Sequence, residues 1–156
     1  MKSRVAINGF GRIGRNAFKI AFERSDVELV AINDLTDTKT LAYLLKHDSN
    51  YGTYDHEVSF DDKHIIVDGH KVVVTAEKDP SLLPWSEHKV DVVIESTGRF
   101  TKVEDASLHV KAGAKRVVIS GPTKSDGVDT IVLGANDDKL EGATEVISKA
   151  SCTTNS

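Results

Sequence analysis

Three glycines near the N-terminus constrain this chain more than any other feature. Gly9, Gly11 and Gly14 have the G-x-G-x-x-G spacing and follow a short apolar run, residues 4–7. That run is typical of a buried parallel strand, and residues 16–24 have the periodicity of an amphipathic helix. In such a unit the first glycine makes the tight turn, the second lets a pyrophosphate approach, and the third lets helix and strand pack closely. The spacing therefore predicts a dinucleotide site at the start of a helix.

An acidic residue in the expected place extends this motif. The glycine spacing alone also occurs in ordinary turns, but here a second apolar run, residues 27–33, leads into Asp34. Asp34 lies 20 positions after Gly14, where a carboxylate can accept hydrogen bonds from both hydroxyls of an adenosine ribose. Its charge would repel a 2′-phosphate, and no arginine follows closely to offset that repulsion. The sequence therefore predicts NAD rather than NADP; the alternative is that Asp34 is a helix N-cap.

Composition and charge argue against several classes of function. The 156 residues suffice for one domain with a core, and 39% hydrophobic and 28% charged residues argue against disorder and a membrane span. A net charge of −4, with scattered lysine and arginine, offers no surface for nucleic acid. The N-terminus has no apolar signal segment, and the single cysteine fits a reducing cytoplasm. The six histidines show no metal-binding spacing, so we expect no metal, nucleic-acid or membrane partner.

The remainder of the chain alternates predicted strands and helices. Asp68-Gly69 favours an antiparallel hairpin, which we expect as an appendage at the sheet edge. The alternation predicts an α/β fold: a Rossmann-like, doubly wound, mostly parallel sheet with an antiparallel hairpin appendage. Beyond Asp34 we predict helices at 40–46 and 102–112, a loop at 47–54, and strands at 63–67, 71–75, 90–95, 116–120, 130–134 and 145–148.

Polar and small residues follow the predicted parallel strands where each strand ends. Ligands of doubly wound folds bind beyond the carboxyl ends of the strands, so these residues are expected to share one site. They are Asn8, Asp34, Ser96, Thr97, Gly98 and Ser120.

Cys152 follows the last predicted strand, at the expected opening of a helix. The N–H groups of a helix start favour the nucleophilic thiolate, and the hydroxyls of Ser151 and Thr153 could hold an oxyanion or a phosphate. The residue pattern leaves two alternatives, an inert thiol or a catalytic nucleophile. A catalytic thiolate needs a base, usually histidine, and the sequence nominates none.

Five segments of the chain form a recognisable set, at residues 7–15, 33–35, 84–85, 95–98 and 150–155. Together they resemble the phosphorylating, NAD-dependent glyceraldehyde-3-phosphate dehydrogenase family. The resemblance covers only the N-terminal half of that enzyme. It implies an NAD-binding Rossmann domain over residues 1–150 and the start of the catalytic domain, with the nucleophile, over residues 151–156. The five segments occur in the family's order and spacing.

The resemblance implies a cytoplasmic homotetramer that acts in glycolysis. Cys152 would attack the aldehyde carbon of glyceraldehyde 3-phosphate to form a thiohemiacetal. Hydride transfer to NAD would leave a thioester, which inorganic phosphate would release as 1,3-bisphosphoglycerate. Ser151 and Thr153 would flank the nucleophile and help to hold phosphate groups.

The resemblance also implies roles for single residues in cofactor binding. Backbone amides of Arg12 and Ile13 would bind the pyrophosphate, while Asp34 would hold the adenosine ribose. Lys78 would lie near the adenine and Ser120 on the nicotinamide side. Motifs and resemblance together predict the cofactor-binding residues Asn8, Gly9, Gly11, Arg12, Ile13, Gly14, Asp34, Lys78, Ser96, Gly98, Phe100 and Ser120.

The resemblance leaves some questions open. Leu35 matches NAD-preferring members, but Ser156 stands where many members have a second cysteine. The family's base histidine and phosphate-binding arginine would lie beyond these residues, so we expect the isolated chain to bind NAD without turnover. Two alternatives remain: erythrose-4-phosphate dehydrogenase, whose first half has nearly the same motifs, and a stand-alone NAD-binding module.

Overall fold

The computed structural model describes residues 1–123, 125–151 and 153–154, and in this part of the chain strands and helices alternate. The helices are α1 Arg12–Phe22, α2 Thr38–Lys46 and α3 Val103–Lys111, with single 3₁₀ turns at Pro80–Leu82 and Asp137–Leu140. The strands are β1 Ser3–Asn8, β2 Val27–Asn33, β3 His47–Asp48, β4 Gly52–Thr53, β5 Val58–Phe60, β6 His64–Val67, β7 His70–Thr75, β8 Val92–Glu95, β9 Arg116–Ile119, β10 Asp129–Thr130 and β11 Val146–Ser148.

Nine of these strands form one sheet with β1 near its middle. The order is β10-β11-β9-β8-β1-β2-β7-β6-β5, and every pairing from β10 to β7 is parallel. The chain leaves β1 to form β2 on one side and later returns to form β8 on the other. This reversal is the topological switch point at which doubly wound folds open a crevice for ligands. The predicted fold class is confirmed.

Both faces of the sheet are covered, as parallel sheets require. Val5 and Ile7 of β1 point into one apolar cluster, where they meet Phe18 of α1. Ala6 points to the opposite cluster, which contains the fully buried Trp85. Alternate residues of the same strand thus point into two different cores. Helices α1 and α2 lie against one face of the sheet, and α3 lies against the other face. No helix in the described residues is both long and apolar enough to span a membrane.

The predicted hairpin is present and is continuous with the main sheet. Asp68 and Gly69 both have positive φ, 48° and 80°, and connect β6 to β7. A third strand that sequence reasoning missed, β5, extends the hairpin to the sheet edge. On its other side β7 pairs in parallel with β2, so Thr75 lies beside Asn33. The carboxyl end of β7 therefore reaches the same edge as those of β1 and β2.

Three predicted segments differ from the structure. The first helix begins at Arg12 rather than residue 16, since Arg15 N already donates to Gly11 O over 2.9 Å. The predicted loop at 47–54 contains a two-residue antiparallel ladder between β3 and β4. The strand predicted at 130–134 is only Asp129–Thr130, because the Asn136 side chain accepts a hydrogen bond from Val132 N and the chain turns.

Candidate cofactor-binding groove

A cavity of about 710 Å³ opens at the carboxyl ends of β1, β2, β7 and β8. Its volume lies within the usual range for small-molecule sites, roughly 300–1,000 Å³. It is lined by Asn8, Gly9, Gly11, Asn33, Asp34, Leu35, Glu77, Lys78, Ser96, Thr97, Arg99 and Phe100. We call this cavity the groove.

Close packing at two glycines forms one wall of the groove. Gly9 has φ +90°, and a Cβ built there would lie 2.7 Å from Thr97 N. A Cβ on Gly14 would overlap the carbonyl oxygen of Gly9 and lie 3.0 Å from Ser96 Oγ. The turn after β1, the first turn of α1 and the segment after β8 therefore pack together without side chains at these positions.

Gly11 lies in the same turn but has a different environment. Apart from Gly11 itself and its two chain neighbours, no described residue comes within 4 Å of a Cβ built on it, and it lines the groove. Gly11 is also the N-cap of α1, makes no side-chain cap, and precedes a first turn without acidic residues. The amide groups at this helix start are therefore available to an anion, and the bare backbone leaves room for one to approach.

Asp34 connects the end of β2 to the glycine turn. Its Oδ2 accepts a hydrogen bond from Phe10 N at 2.8 Å, and its Oδ1 accepts one from Thr36 N at 3.0 Å. The residue that caps α2 is Asp37, whose side chain accepts from Thr40 N at 2.9 Å. The alternative that Asp34 is a helix N-cap is therefore wrong. Its carboxylate is instead held at the groove wall.

The segment after β8 also lines the groove. Ser96 Oγ donates to Gly9 O over 2.7 Å, which ties this segment to the glycine turn. Gly98 has φ +73°, and Phe100 lines the groove beyond it. Lys78 also lines the groove.

The structure brings most of the predicted cofactor residues together. Ser120 lies one strand away, after β9, where its N–H donates to Glu95 O, and it is outside the lining described above. Those that line the groove are Asn8, Gly9, Gly11, Asp34, Lys78, Ser96 and Phe100. Those that adjoin it in the chain are Arg12, Ile13, Gly14 and Gly98.

Sequence reasoning missed three lining residues: Asn33, Glu77 and Arg99. Asn33 carried a usable signal, since it is a polar residue at the end of an apolar strand. The sequence around Glu77 gave no such signal. Glu77 follows β7, and β7 was expected only as half of an edge hairpin and not as a neighbour of β2.

The predicted nucleophile, Cys152, lies outside the described residues, as do Lys124, Asn155 and Ser156. On either side of it, Ser151 and Thr153 are exposed, and their hydroxyl oxygens are 3.0 Å apart. Thr154 N donates to Ser151 O over 3.0 Å. The roles of Ser151, Cys152 and Thr153 stay predictions.

Comparison with known proteins agrees with this geometry. Residues 3–103 match the model of the family described as glyceraldehyde 3-phosphate dehydrogenase, NAD binding domain. This match spans the glycine turn, Asp34 and the segment after β8, and the cofactor in the description is the predicted NAD.

Individual relatives agree over almost the whole chain. The glyceraldehyde-3-phosphate dehydrogenase of Geobacillus stearothermophilus is 56% identical over 156 residues, which is 99% of this chain and 46% of the relative. That of Thermotoga maritima is 54% identical with the same coverage. Glyceraldehyde-3-phosphate dehydrogenase 1 of Bacillus cereus is 52% identical over 154 residues, again 46% of the relative. The chain thus spans about half the length of the curated relatives it matches, and it belongs to the family of glyceraldehyde 3-phosphate dehydrogenase NAD-binding domains.

Proposed function

We propose that the groove binds NAD with its adenosine ribose on Asp34. The observation that carries this proposal is the position of the Asp34 carboxylate, 2.8 Å from Phe10 N at the glycine turn and facing a cavity of suitable volume. A carboxylate there accepts hydrogen bonds from ribose hydroxyls and repels a 2′-phosphate. Open space at Gly11 and the uncapped start of α1 fit the pyrophosphate between the two nucleosides.

The other predicted residues take roles that follow from their places. The amides of Arg12 and Ile13 bind the pyrophosphate, and Lys78 lies by the adenine. Ser96, Gly98 and Phe100 line the remainder of the cofactor's path, towards the nicotinamide side where we place Ser120.

We extend the proposal to the longer protein that the curated relatives represent. There the family's activity is the oxidation of glyceraldehyde 3-phosphate with inorganic phosphate to 1,3-bisphosphoglycerate. NAD supplies the hydride acceptor, Cys152 supplies the thiolate that forms the thiohemiacetal, and Ser151 and Thr153 hold phosphate groups. We place this protein in the cytoplasm as a homotetramer, with the domain boundary after residue 150. The names of the relatives lend no support to the erythrose 4-phosphate alternative.

The 156-residue chain itself is proposed to bind NAD without sustained turnover. Turnover needs a base beside the nucleophile, and general acid–base catalysis contributes roughly 10²–10⁴-fold to such reactions. None of the six histidines, all of which the structure describes, lines the groove.

Calorimetric titration of the purified chain with NAD and with NADP tests the proposal. We expect saturable binding of NAD and at least about tenfold weaker binding of NADP, because a 2′-phosphate would meet the Asp34 carboxylate. The same sample, given glyceraldehyde 3-phosphate and phosphate, should not accumulate NADH over many turnovers. Equal affinity for the two nucleotides, or no binding of either, would contradict the cofactor assignment.

A further inference from the structure

A layer of buried polar side chains adjoins the groove, and two of its four members, Asn8 and Asn33, also line it. Glu95 is 1% exposed, His109 is 0% exposed, and Asn8 and Asn33 are buried beside them at the ends of β1 and β2. We call these four residues the polar floor. Neither Glu95 nor His109 lines the groove as described, and the proposed binding of NAD uses neither. Burying a polar group costs free energy unless the group is hydrogen-bonded, so each of these polar atoms is expected to have a partner. The donors and acceptors of the polar floor can therefore be assigned from the atoms that can only donate.

At one side of the polar floor, Trp85 determines the tautomer of His109. The indole N–H of Trp85 can only donate, and it donates to His109 Nδ1 over 2.9 Å. Nδ1 is therefore the unprotonated nitrogen, and His109 is neutral with its proton on Nε2. That Nε2–H donates to Glu95 Oε2 over 2.8 Å.

At the other side, a backbone amide determines the orientation of two carboxamides. Glu77 N–H can only donate, and it donates to Asn33 Oδ1 over 2.9 Å. Asn33 Nδ2 therefore donates, to Glu77 O at 2.9 Å and to Asn8 Oδ1 at 2.7 Å. Asn8 Nδ2 then has to face Glu95, and it donates to Oε2 over 2.6 Å. Asn8 Nδ2 and His109 Nε2 lie 3.4 Å apart because both donate to the same oxygen, Glu95 Oε2; they do not form a hydrogen bond with each other.

The second oxygen of Glu95 is also surrounded by donors. Thr97 N donates to Glu95 Oε1 over 2.8 Å, and Thr97 Oγ1 donates to the same oxygen. Arg99 N in turn donates to Thr97 Oγ1 over 3.1 Å. Glu95 thus accepts hydrogen bonds on both of its carboxyl oxygens, from Asn8 and His109 on Oε2 and from Thr97 on Oε1.

We propose that Glu95 is a positioning residue for the groove, because its two carboxyl oxygens accept the hydrogen bonds in which both branches of the polar floor meet. One branch ends at Thr97, which packs on Gly9, and the other ends at Glu77 through the two carboxamides. Thr97 and Glu77 both line the groove. His109 adds a third contact, since its ring lies edge-on beneath Phe100 with centroids 6.5 Å apart. This role rests on the proposed binding of NAD.

Replacing the carboxylate with a carboxamide of the same shape should disturb both branches. In Glu95→Gln, the new NH₂ group faces either Thr97 N–H or the donors of His109 and Asn8. In the second orientation Asn8 and Asn33 can rotate, but the conflict then passes to Glu77 N–H. A buried donor without an acceptor costs enough to weaken a binding site roughly tenfold when the strain lies at that site.

The test compares Glu95→Gln with Asp91→Asn, a matched change at the opposite end of β8. Asp91 precedes β8, accepts from Arg4 N at 2.8 Å and pairs with Lys115 at 2.7 Å, far from the groove. Calorimetry with NAD and thermal unfolding are measured for both variants and for the unmodified chain. We expect Glu95→Gln to bind NAD roughly tenfold more weakly and Asp91→Asn to bind it as the unmodified chain does.

Equal NAD affinity in Glu95→Gln and the unmodified chain would overturn the positioning role alone. Failure of the unmodified chain to bind NAD would overturn the proposed function, and the positioning role with it. Nitrogen NMR of the unmodified chain provides a test that needs neither a variant nor NAD. We expect the His109 ring to be protonated at Nε2 and bare at Nδ1; a proton on Nδ1 would overturn the proposed bond directions even if Glu95→Gln did not fold.

Discussion

At the scale of single residues, two glycines of one turn have separable roles. Gly9 has φ +90° and packs on Thr97, whereas Gly11 has an ordinary φ of −72° and faces the groove. We expect Gly9→Ala to lower the free energy of unfolding by roughly 2–4 kcal/mol, because the backbone is strained and the methyl group meets Thr97 N. Gly11→Ala should change that free energy by no more than about 1 kcal/mol and weaken NAD binding instead.

Urea unfolding and calorimetry on the two variants measure these effects. Each variant serves as the control for the other, since both add one methyl group to the same turn. If both variants lost the same free energy of unfolding, the proposed difference between a packing role for Gly9 and a binding role for Gly11 would be wrong.

Asp34 provides the second prediction at this scale. Asp34→Asn keeps an acceptor for Phe10 N but removes the negative charge from the groove wall. Hydrogen bonds to a charged group are stronger than hydrogen bonds to a neutral one, so we expect the affinity for NAD to fall roughly tenfold. The ratio of NAD affinity to NADP affinity should also become smaller, because the charge that repels the 2′-phosphate is gone. Asp37→Asn is the matched control, because asparagine also caps helices well and Asp37 lies outside the groove lining. An unchanged ratio of NAD to NADP affinity in Asp34→Asn would exclude Asp34 from cofactor choice.

At the scale of elements, one histidine joins α1 to the hairpin of β6 and β7. His56 Nδ1 is 2.6 Å from Asp68 Oδ2 in the hairpin turn, and Nε2 is 2.5 Å from Glu23 Oε1 after α1. Both partners are carboxylates, so the doubly protonated ring satisfies both contacts. The hydrogen bond with Asp68, supported by the one with Glu23, raises the pKa of His56, and the same bond lowers the pKa of Asp68.

These opposite shifts predict the pH range over which the connection is stabilising. The contribution of His56 is complete below its unfolded pKa of about 6.5 and is lost as pH rises through its higher folded value. The contribution of Asp68 is present above about pH 3.9 and is lost as pH falls through its lower folded value. The midpoint of thermal unfolding should therefore fall as pH rises from about 6 to 9, and His56→Gln should reduce this slope.

His47→Gln is the control for this measurement. His47 packs on Tyr43 and forms no ion pair with the described residues, so its loss should leave the slope unchanged. A slope that persists in His56→Gln would assign the pH dependence to another group.

At the scale of the whole molecule, local patterns predicted the order of the elements and the position of the groove. The strand at residues 27–33 and the hairpin turn at Asp68-Gly69 are each determined by residues that are adjacent in the sequence. The structure confirms both predictions. The glycine spacing and Asp34 predicted one wall of the groove for the same reason.

The parts that could not be predicted depend on which strands become neighbours. A hairpin signal describes β6 and β7 but does not tell which strand pairs with the free edge of β7. Once β7 lies beside β2, Glu77 arrives at the groove. The polar floor likewise joins Asn8 to Glu95 across 87 positions, a contact that no local pattern carries.

The central place of β1 has a consequence for how the chain is built during synthesis. Asn8 and Glu95 are 87 positions apart, and ribosomes add roughly 5–20 residues per second, so β1 precedes its second neighbour by roughly 4–17 s. In that interval β1 can pair only with β2, and Gly9 lacks the Thr97 backbone on which its turn packs. The nascent domain must therefore keep an apolar strand edge open until β8 emerges, and the groove cannot form before the segment after β8 has been made.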